Sequence, residues 1–239
     1  MQVSTRAFVF SSIKYAEADL IVSCFTEKFG IKSYLLRGIL KSKKGKLRTS
    51  MFQPLSLLEI EAFHKDNGTL ERISEAKVIS PYSTLHTHII KSSLLLFIAE
   101  ILKNSVKEEE ANDALFQFIE SSLVWLDTHE EIANFHLLFL LKLTNYLGFY
   151  PHFSEEERPY FNLIEGIFQE KSQGNFSEEG DVVSVLKSLH TLHYNQLSGI
   201  KITKINRLKT LDVLLKYYQL HLQDFRLPKS LPVLTQLFQ

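Results

Sequence analysis

The chain has 239 residues, a length that suits one large or two small domains. Its composition, 45% hydrophobic and 23% charged, is that of an ordinary globular protein, and no apolar run approaches the ~18 residues that span a bilayer. The 27 basic and 27 acidic residues cancel, and residues 1–6 do not open an apolar signal-peptide core, so we expect a cytoplasmic protein with no membrane partner.

The first 80 residues have the pattern of short strands. Residues 57–63 alternate between apolar and polar positions, and Asn67-Gly68 tolerates the positive φ values of a tight hairpin turn. The strands are predicted at residues 6–12, 20–26, 31–40, 57–63 and 69–79. Because a small closed barrel removes the edges of five short strands, the pattern predicts an OB-fold over residues 1–80.

Positive charge is concentrated in residues 28–48, which hold eight basic residues and no acidic one. Residues 1–80 carry 13 Lys and Arg against 8 Asp and Glu, a net of +5, and the remainder carries 14 against 19, a net of −5. Clustered cations favour a polyanion such as the DNA backbone, although a solvated loop has the same composition. The predicted phosphate partners are Lys32, Arg37, Lys41, Lys43, Lys44, Lys46 and Arg48.

Beyond Pro81 the apolar period becomes helical. The predicted helices cover residues 85–102, 115–126, 132–146, 182–192 and 205–222, followed by a short last helix. The run 137–141 is apolar on all sides, as in the central helix of a bundle, and Gly148 ends that helix. We therefore predict an α+β protein whose residues 81–239 form a mostly helical domain, with a small β-containing insertion near 152–180.

Sequence motifs for catalysis are missing from the chain. It has no phosphate-binding loop, no dinucleotide-binding glycine motif, no nucleophile elbow and no His-Glu-x-x-His zinc motif. Its one cysteine, Cys24, lies in an apolar run, which indicates a buried side chain and excludes a cysteine zinc finger. We predict no catalytic residue, no metal and no cofactor.

Three groups of residues leave alternatives open. Glu17 and Asp19 could form a catalytic carboxylate pair, but pairing with nearby cations or capping of the backbone is favoured. His190 and His193 could share one face of a helix and one metal ion, but no third ligand is evident. The rings beside the basic segment could stack on nucleic-acid bases or fill the core of the barrel; these are Phe29, Tyr34 and Phe52.

Several short segments, in their order and spacing, resemble the bacterial RecO family of recombination mediators. The N-terminal ones are Tyr-Ala-Glu-Ala-Asp-Leu-Ile at 15–21, Phe-Thr at 25–26 with Gly30, Arg-Gly at 37–38 and Lys-Ser-Lys at 41–43. Leu-Gly-Phe-Tyr-Pro at 147–151 is similar to the family's Leu-Gly-Phe-x-Pro, and the helix at 207–222 with Lys229-Ser230 is similar to its last helices.

The resemblance implies an OB-fold that binds single- and double-stranded DNA and a helical domain that contacts proteins. It implies strand annealing, and loading of recombinase together with RecR onto DNA coated by single-stranded DNA-binding protein. Many relatives place a four-cysteine zinc site after the Gly-Phe-x-Pro motif, but residues 152–180 hold no cysteine, so a zinc role is not carried over. Apolar packing of residues 160–168 is the expected substitute.

The helical domain is expected to bind the acidic, apolar-ended tail of single-stranded DNA-binding protein. A carboxylate in such a groove needs a cation nearby, and the candidate residues are Lys142 and Arg158, with Lys91 as a further one. A lysine among leucines can also simply reach water with its charged end. The alternative function is a protein–protein adaptor, without catalysis, whose basic loop does not bind DNA.

Overall fold

The computed structural model describes residues 1–42, 46–65, 69–79, 81–107, 109–154 and 157–238. Contacts between residues divide the chain into two compact units, Met1–Ser121 and Ser122–Gln239. The first unit contains a five-stranded antiparallel sheet, and helices dominate the rest of the chain. The predicted α+β class is therefore confirmed, while the predicted domain boundary after residue 80 stays a prediction.

The N-terminal sheet has the strand order β3-β2-β1-β4-β5. Its strands are β1 Gln2–Tyr15, β2 Asp19–Thr26, β3 Gly30–Leu36, β4 Leu57–Phe63 and β5 Arg72–Val78. All five strands were predicted, but β1 is twice as long as expected. The reason is its double pairing: it pairs antiparallel with β4 through residues 2–8 and with β2 through residues 7–15, with a shift of register after Val9.

The two edge strands of this sheet approach each other beside Tyr34 and Glu71. The Glu71 N–H donates to the Ser33 carbonyl at 2.8 Å, and the Leu35 N–H donates to the Glu71 carbonyl at 2.9 Å, which makes one isolated parallel bridge. The ladder is otherwise open between β3 and β5 in the described residues. The predicted closed barrel is therefore an OB-like sheet whose edges are joined at a single point.

The interior of the curved sheet is filled by the apolar residues of each strand. Val9, Val22, Cys24, Tyr34 and Ile60 are all inaccessible to solvent. The burial of alternate positions along β4 is what the sequence pattern predicted. Cys24 is a core side chain, as predicted, and its burial raises the pKa of the thiol to about 12.

Helices α1 Ile89–Ser105 and α2 Asp113–Thr128 follow the sheet. On the outer face of the sheet, the rings of Phe8 and Phe116 lie 4.8 Å apart, so both faces of β1 are buried. Arg6 lies over the ring of Phe116, at 5.0 Å, and donates to Glu120 at 2.8 Å and to Glu27 at 3.1 Å. One arginine of β1 thus links α2 to the turn between β2 and β3.

The second unit is built around α3 Phe135–Tyr146, whose residues 137–141 are completely buried, as predicted for a central helix. Gly148 ends this segment with φ of +83°, which a glycine adopts without strain. Helices α4 Asp181–Thr191, α5 Lys204–His221 and α6 Leu231–Leu237 complete the unit. Among the described residues, no helix is long and apolar enough to cross a membrane.

A small three-stranded sheet lies between α3 and α4 in sequence. Its strands are β6 Tyr160–Asn162, β7 Ile167–Gln169 and β8 Ser177–Glu178, in the order β7-β6-β8. The sequence predicted a small β-containing insertion near residues 152–180, and the structure forms a hairpin there because Gly166 turns the chain with φ of +67°.

Candidate nucleic-acid interface

A concave region of about 860 Å³ lies beside the edge strands β3 and β5 of the N-terminal unit. We call it the edge groove, and its described lining residues are Leu35, Leu36, Arg37, Ile39, Ser42, Lys46, Leu47, Phe63, Lys65, Leu70, Glu71, Arg72, Ile73 and Ser74. This lining contains four cationic side chains and one carboxylate. Its volume is in the range of small-ligand sites, roughly 300–1,000 Å³.

The middle of the basic segment, residues 28–48, is held in place by the start of β2 and the turn before it. The Gly38 N–H donates to Asp19 Oδ1 at 2.7 Å, and the Leu40 N–H donates to the Ala18 carbonyl at 2.9 Å. Gly38 has a φ of +69°, which a side chain would oppose. Asp19 therefore caps backbone, as favoured by the sequence, and this contact fixes the chain next to Arg37.

Two of the predicted phosphate partners form ion pairs with carboxylates. Lys41 pairs with Glu17 at 3.1 Å, and Lys46 pairs with Glu75 across to β5. The bond with Glu75 raises the pKa of Lys46 above its ordinary value. Both pairs are solvent-exposed, and water screens such pairs, so a phosphate can displace the carboxylate at little cost.

The structure brings together only part of the predicted set of cations among the described residues. Arg37 and Lys46 line the edge groove, while Lys41 and Arg48 are exposed outside that lining and Lys32 is half-buried on β3. The remaining two predicted partners, Lys43 and Lys44, lie outside the described residues. Whether these side chains bind phosphate stays a prediction.

The edge groove also has lining residues that the sequence did not assign to the site, among them Phe63, Lys65, Leu70 and Arg72. They come from the end of β4 and the connection to β5, and Phe63 is the register partner of Arg72. Alternation along β4 placed Phe63 on the outward face, which was the available signal. The cations Lys65 and Arg72 could not be connected with residues 28–48 without the contact between β3 and β5.

Buried Glu71 holds the β4–β5 connection against the rest of the sheet. Both of its carboxylate oxygens accept from the Lys65 N–H, at 3.0 and 2.9 Å, and its own backbone makes the bridge to β3. Ser74 forms a bulge in β5 and donates from its hydroxyl to the Glu61 carbonyl at 3.0 Å. These contacts fix the backbone on both sides of Arg72.

The aromatic residues named beside the basic segment belong to the core. Tyr34 is fully buried and hydrogen-bonds through its hydroxyl to His64 Nε2 at 2.9 Å, and Phe52 is also buried. Phe29 is partly buried and packs edge-on against His64 at 4.9 Å. Of the two readings left open by the sequence, the structure supports core packing for Tyr34 and Phe52.

Comparison with known proteins shows two family matches that together cover most of the chain. The model "Recombination protein O N terminal" matches residues 1–82, and "Recombination protein O C terminal" matches residues 86–231. The chain belongs to the RecO family of DNA repair proteins. It is 48% identical over 238 residues to the DNA repair protein RecO of Christiangramia forsetii, 45% to that of Flavobacterium psychrophilum and 35% to that of Bacteroides fragilis, each over the full length of both chains.

In this RecO family member, residues 152–180 do not have the donor set of a four-cysteine zinc site. Residues 152–180 contain no cysteine, and no cluster of three or more metal-ligating side chains occurs among the described residues. Buried Asn162 bonds instead to four partners: its amide donates to Gln169 and Gln173 at 3.0 and 2.9 Å, and its oxygen accepts from the N–H groups of Ile164 and Glu165 at 2.9 and 3.1 Å.

Apolar packing also supports the segment of residues 152–180. Phe161 and Phe168 are buried, with their rings 5.1 Å apart, and Phe161 lies 5.6 Å from Tyr217 of α5. This is the apolar substitute that the sequence predicted. His190, a candidate metal ligand, is stacked on Phe153 at 3.9 Å and bonded to the Tyr150 hydroxyl at 2.8 Å.

The candidate cations of the helical region have different environments. Lys142 is half-buried in α3, and its burial lowers the pKa of the ammonium group. Arg158 lies before β6 and faces Glu170 at 3.8 Å. Lys91 is buried and donates to Thr84 Oγ1 at 2.9 Å, so it is not at the mouth of a groove.

Proposed function

We propose that this RecO family member binds single- and double-stranded DNA through the edge groove and the basic segment beside it. The observation that carries the proposal is the concentration of four cations against one carboxylate around one concave surface of a chain with zero net charge. Clustered cations release counterions when they bind a phosphate backbone, and this release favours association at low salt. The phosphate partners are Arg37, Lys46, Lys65 and Arg72, together with the predicted Lys32, Lys41, Lys43, Lys44 and Arg48.

Binding of two strands by such a surface supports annealing of complementary DNA and, with RecR, loading of recombinase onto strands coated by single-stranded DNA-binding protein. This role is one of a mediator without catalytic turnover, acting in the cytoplasm. Docking of the acidic tail of single-stranded DNA-binding protein near Lys142 and Arg158 belongs to the same proposal. A tail-peptide titration that compares Lys142→Ala with the parent chain tests it, and equal affinities remove Lys142 from the site.

The test of DNA binding is a salt titration of affinity for an unrelated oligonucleotide. Replacement of Arg37, Lys46, Lys65 and Arg72 by Ala removes four cations from the groove. Each lost phosphate contact lowers the steepness of log affinity against log salt by about 0.7 for single strands and about 0.9 for duplexes. The expected total decrease is therefore about 3 for single strands and about 4 for duplexes.

A matched control removes the same charge elsewhere. Lys14, Lys103, Lys171 and Lys229 are exposed, and none lines the groove. Their replacement by Ala changes the net charge equally, so it is expected to leave most of the slope intact. Equal slopes in the groove variant and the parent contradict the proposed site, and a parent chain that binds no DNA at low salt favours the adaptor function instead.

A further inference from the structure

Phe63 is an exposed aromatic side chain in the lining of the edge groove, which also holds four cationic side chains. It is 44% exposed although it ends a strand whose alternate residues are buried, and Leu70 beside it is 40% exposed. Tyr34 and Phe52, the other rings near the basic segment, are buried. The phenyl face of Phe63 is therefore open to a ligand of the groove.

Cations flank this ring on the adjoining backbone. Arg72 is the residue directly opposite Phe63 in the β4–β5 ladder, and Lys65 follows two residues later in the chain. The side chains of Lys65 and Arg72 are both exposed. The carboxylate of Glu71 fixes the backbone at Lys65 by accepting from its N–H. Arg37 and Lys46 line the same concavity, so an apolar face is surrounded by sites for negative charge.

We propose that Phe63 is a stacking platform for unpaired bases and gives the groove a preference for single-stranded over double-stranded DNA. This inference rests on the proposed DNA binding and adds the determinant of strand type. Single-stranded nucleic acid presents base faces and phosphates alternately, which matches a ring flanked by cations. A base inside a duplex is already stacked on both sides and must be extruded before it can reach a protein ring.

An acidic peptide with an apolar side chain is the other occupant with similar chemistry. The charge pattern favours nucleic acid, because four cations and one carboxylate surround a surface that has few apolar side chains exposed apart from Phe63 and Leu70. Peptide docking depends on a deep apolar anchor, and a shallow ring beside a strand edge suits a flat base better.

The experiment compares three ligands of equal length: a thymidine oligonucleotide, an abasic oligonucleotide and a duplex. Loss of one stacked base lowers affinity by about 5- to 100-fold, so Phe63→Ala is expected to lose that factor on the thymidine strand. On the abasic strand and the duplex, which offer no unpaired base, we expect a change of less than about 2-fold, because the cations are intact. Phe63→Trp should retain binding, and thymidine should quench the fluorescence of the new indole.

Phe176→Ala is the matched control, since this ring is 41% exposed in the second unit and lies outside the edge groove. It is expected to leave all three affinities unchanged. The stacking role is wrong if Phe63→Ala binds the thymidine strand as tightly as the parent, or if it loses the same factor on all three ligands. If the parent chain binds none of the three ligands, the proposed DNA binding is wrong. If it binds all three equally, only the proposed preference for single strands is wrong.

Discussion

Asn162 supplies the sharpest test of how the cysteine-free segment of residues 152–180 is held together. Its side chain is fully buried and makes four hydrogen bonds, two to glutamine side chains and two to backbone N–H groups of the β6–β7 turn. Asn162→Ala removes all four. Each such bond contributes about 1 kcal/mol net, and the exposed Gln173 regains water, so we expect a loss of about 2–4 kcal/mol in the free energy of unfolding.

The assay is urea unfolding followed by the fluorescence of Trp125, the single tryptophan of the chain, which lies in the same unit as Asn162. Asn175→Ala is the control, because this asparagine is exposed in the same segment and its replacement should cost less than about 0.5 kcal/mol. A chelator is expected to leave the parent midpoint unchanged. The reasoning fails if Asn162→Ala unfolds like the control, or if chelation lowers the midpoint of the parent.

Two further predictions concern ionisable groups. Arg6→Gln should destabilise the chain by about 1–2 kcal/mol at pH 7, because Arg6 makes partly shielded, charge-assisted hydrogen bonds to Glu27 and Glu120. The bond from Arg6 also lowers the pKa of Glu27. A lowered carboxyl pKa contributes stability above its ordinary value of 4.5, so the difference between variant and parent in urea unfolding should shrink below that pH; a constant difference contradicts it. Burial, together with nearby Arg207, lowers the pKa of His136 from 6.5 to about 3. Between these pH values the unfolded chain binds a proton that the folded chain does not. The free energy of unfolding should therefore fall with acidification, by up to about 1.4 kcal/mol per pH unit. His136→Gln should weaken this pH dependence in unfolding titrations, and equal slopes in the parent and His136→Gln would show that His136 is not the group.

Local pattern was sufficient to predict the five strands of the large sheet and the main helices. The alternation along β4 and the helical periods beyond residue 81 depend on neighbours in sequence, and both are found in the structure. The length of β1 was underestimated because its two ends pair with different strands. Such double pairing is a property of the sheet, and the composition of β1 does not reveal it.

The sequence predicted only part of the candidate site, because the rest depends on contacts between residues distant in sequence. The charge of residues 28–48 is visible in the sequence. Lys65 and Arg72 are separated by residues 66–71, and they join the same site only because the chain at Glu71 pairs with β3. The bulge at Ser74 and the carboxylate of Glu71 decide the register there. Composition also could not tell which aromatic ring stays exposed, and the structure selects Phe63 over Tyr34.

The acidic residues around the basic segment then have a consistent physical role. Asp19 and Glu71 bond to backbone N–H groups, so they hold the loops that carry the cations. Glu17 and Glu75 pair with exposed lysines instead, and those pairs are weak because water screens them. A chain with no net charge can thereby keep its cations in defined positions. In the proposed DNA contact, a phosphate replaces the carboxylate paired with Lys41 or Lys46.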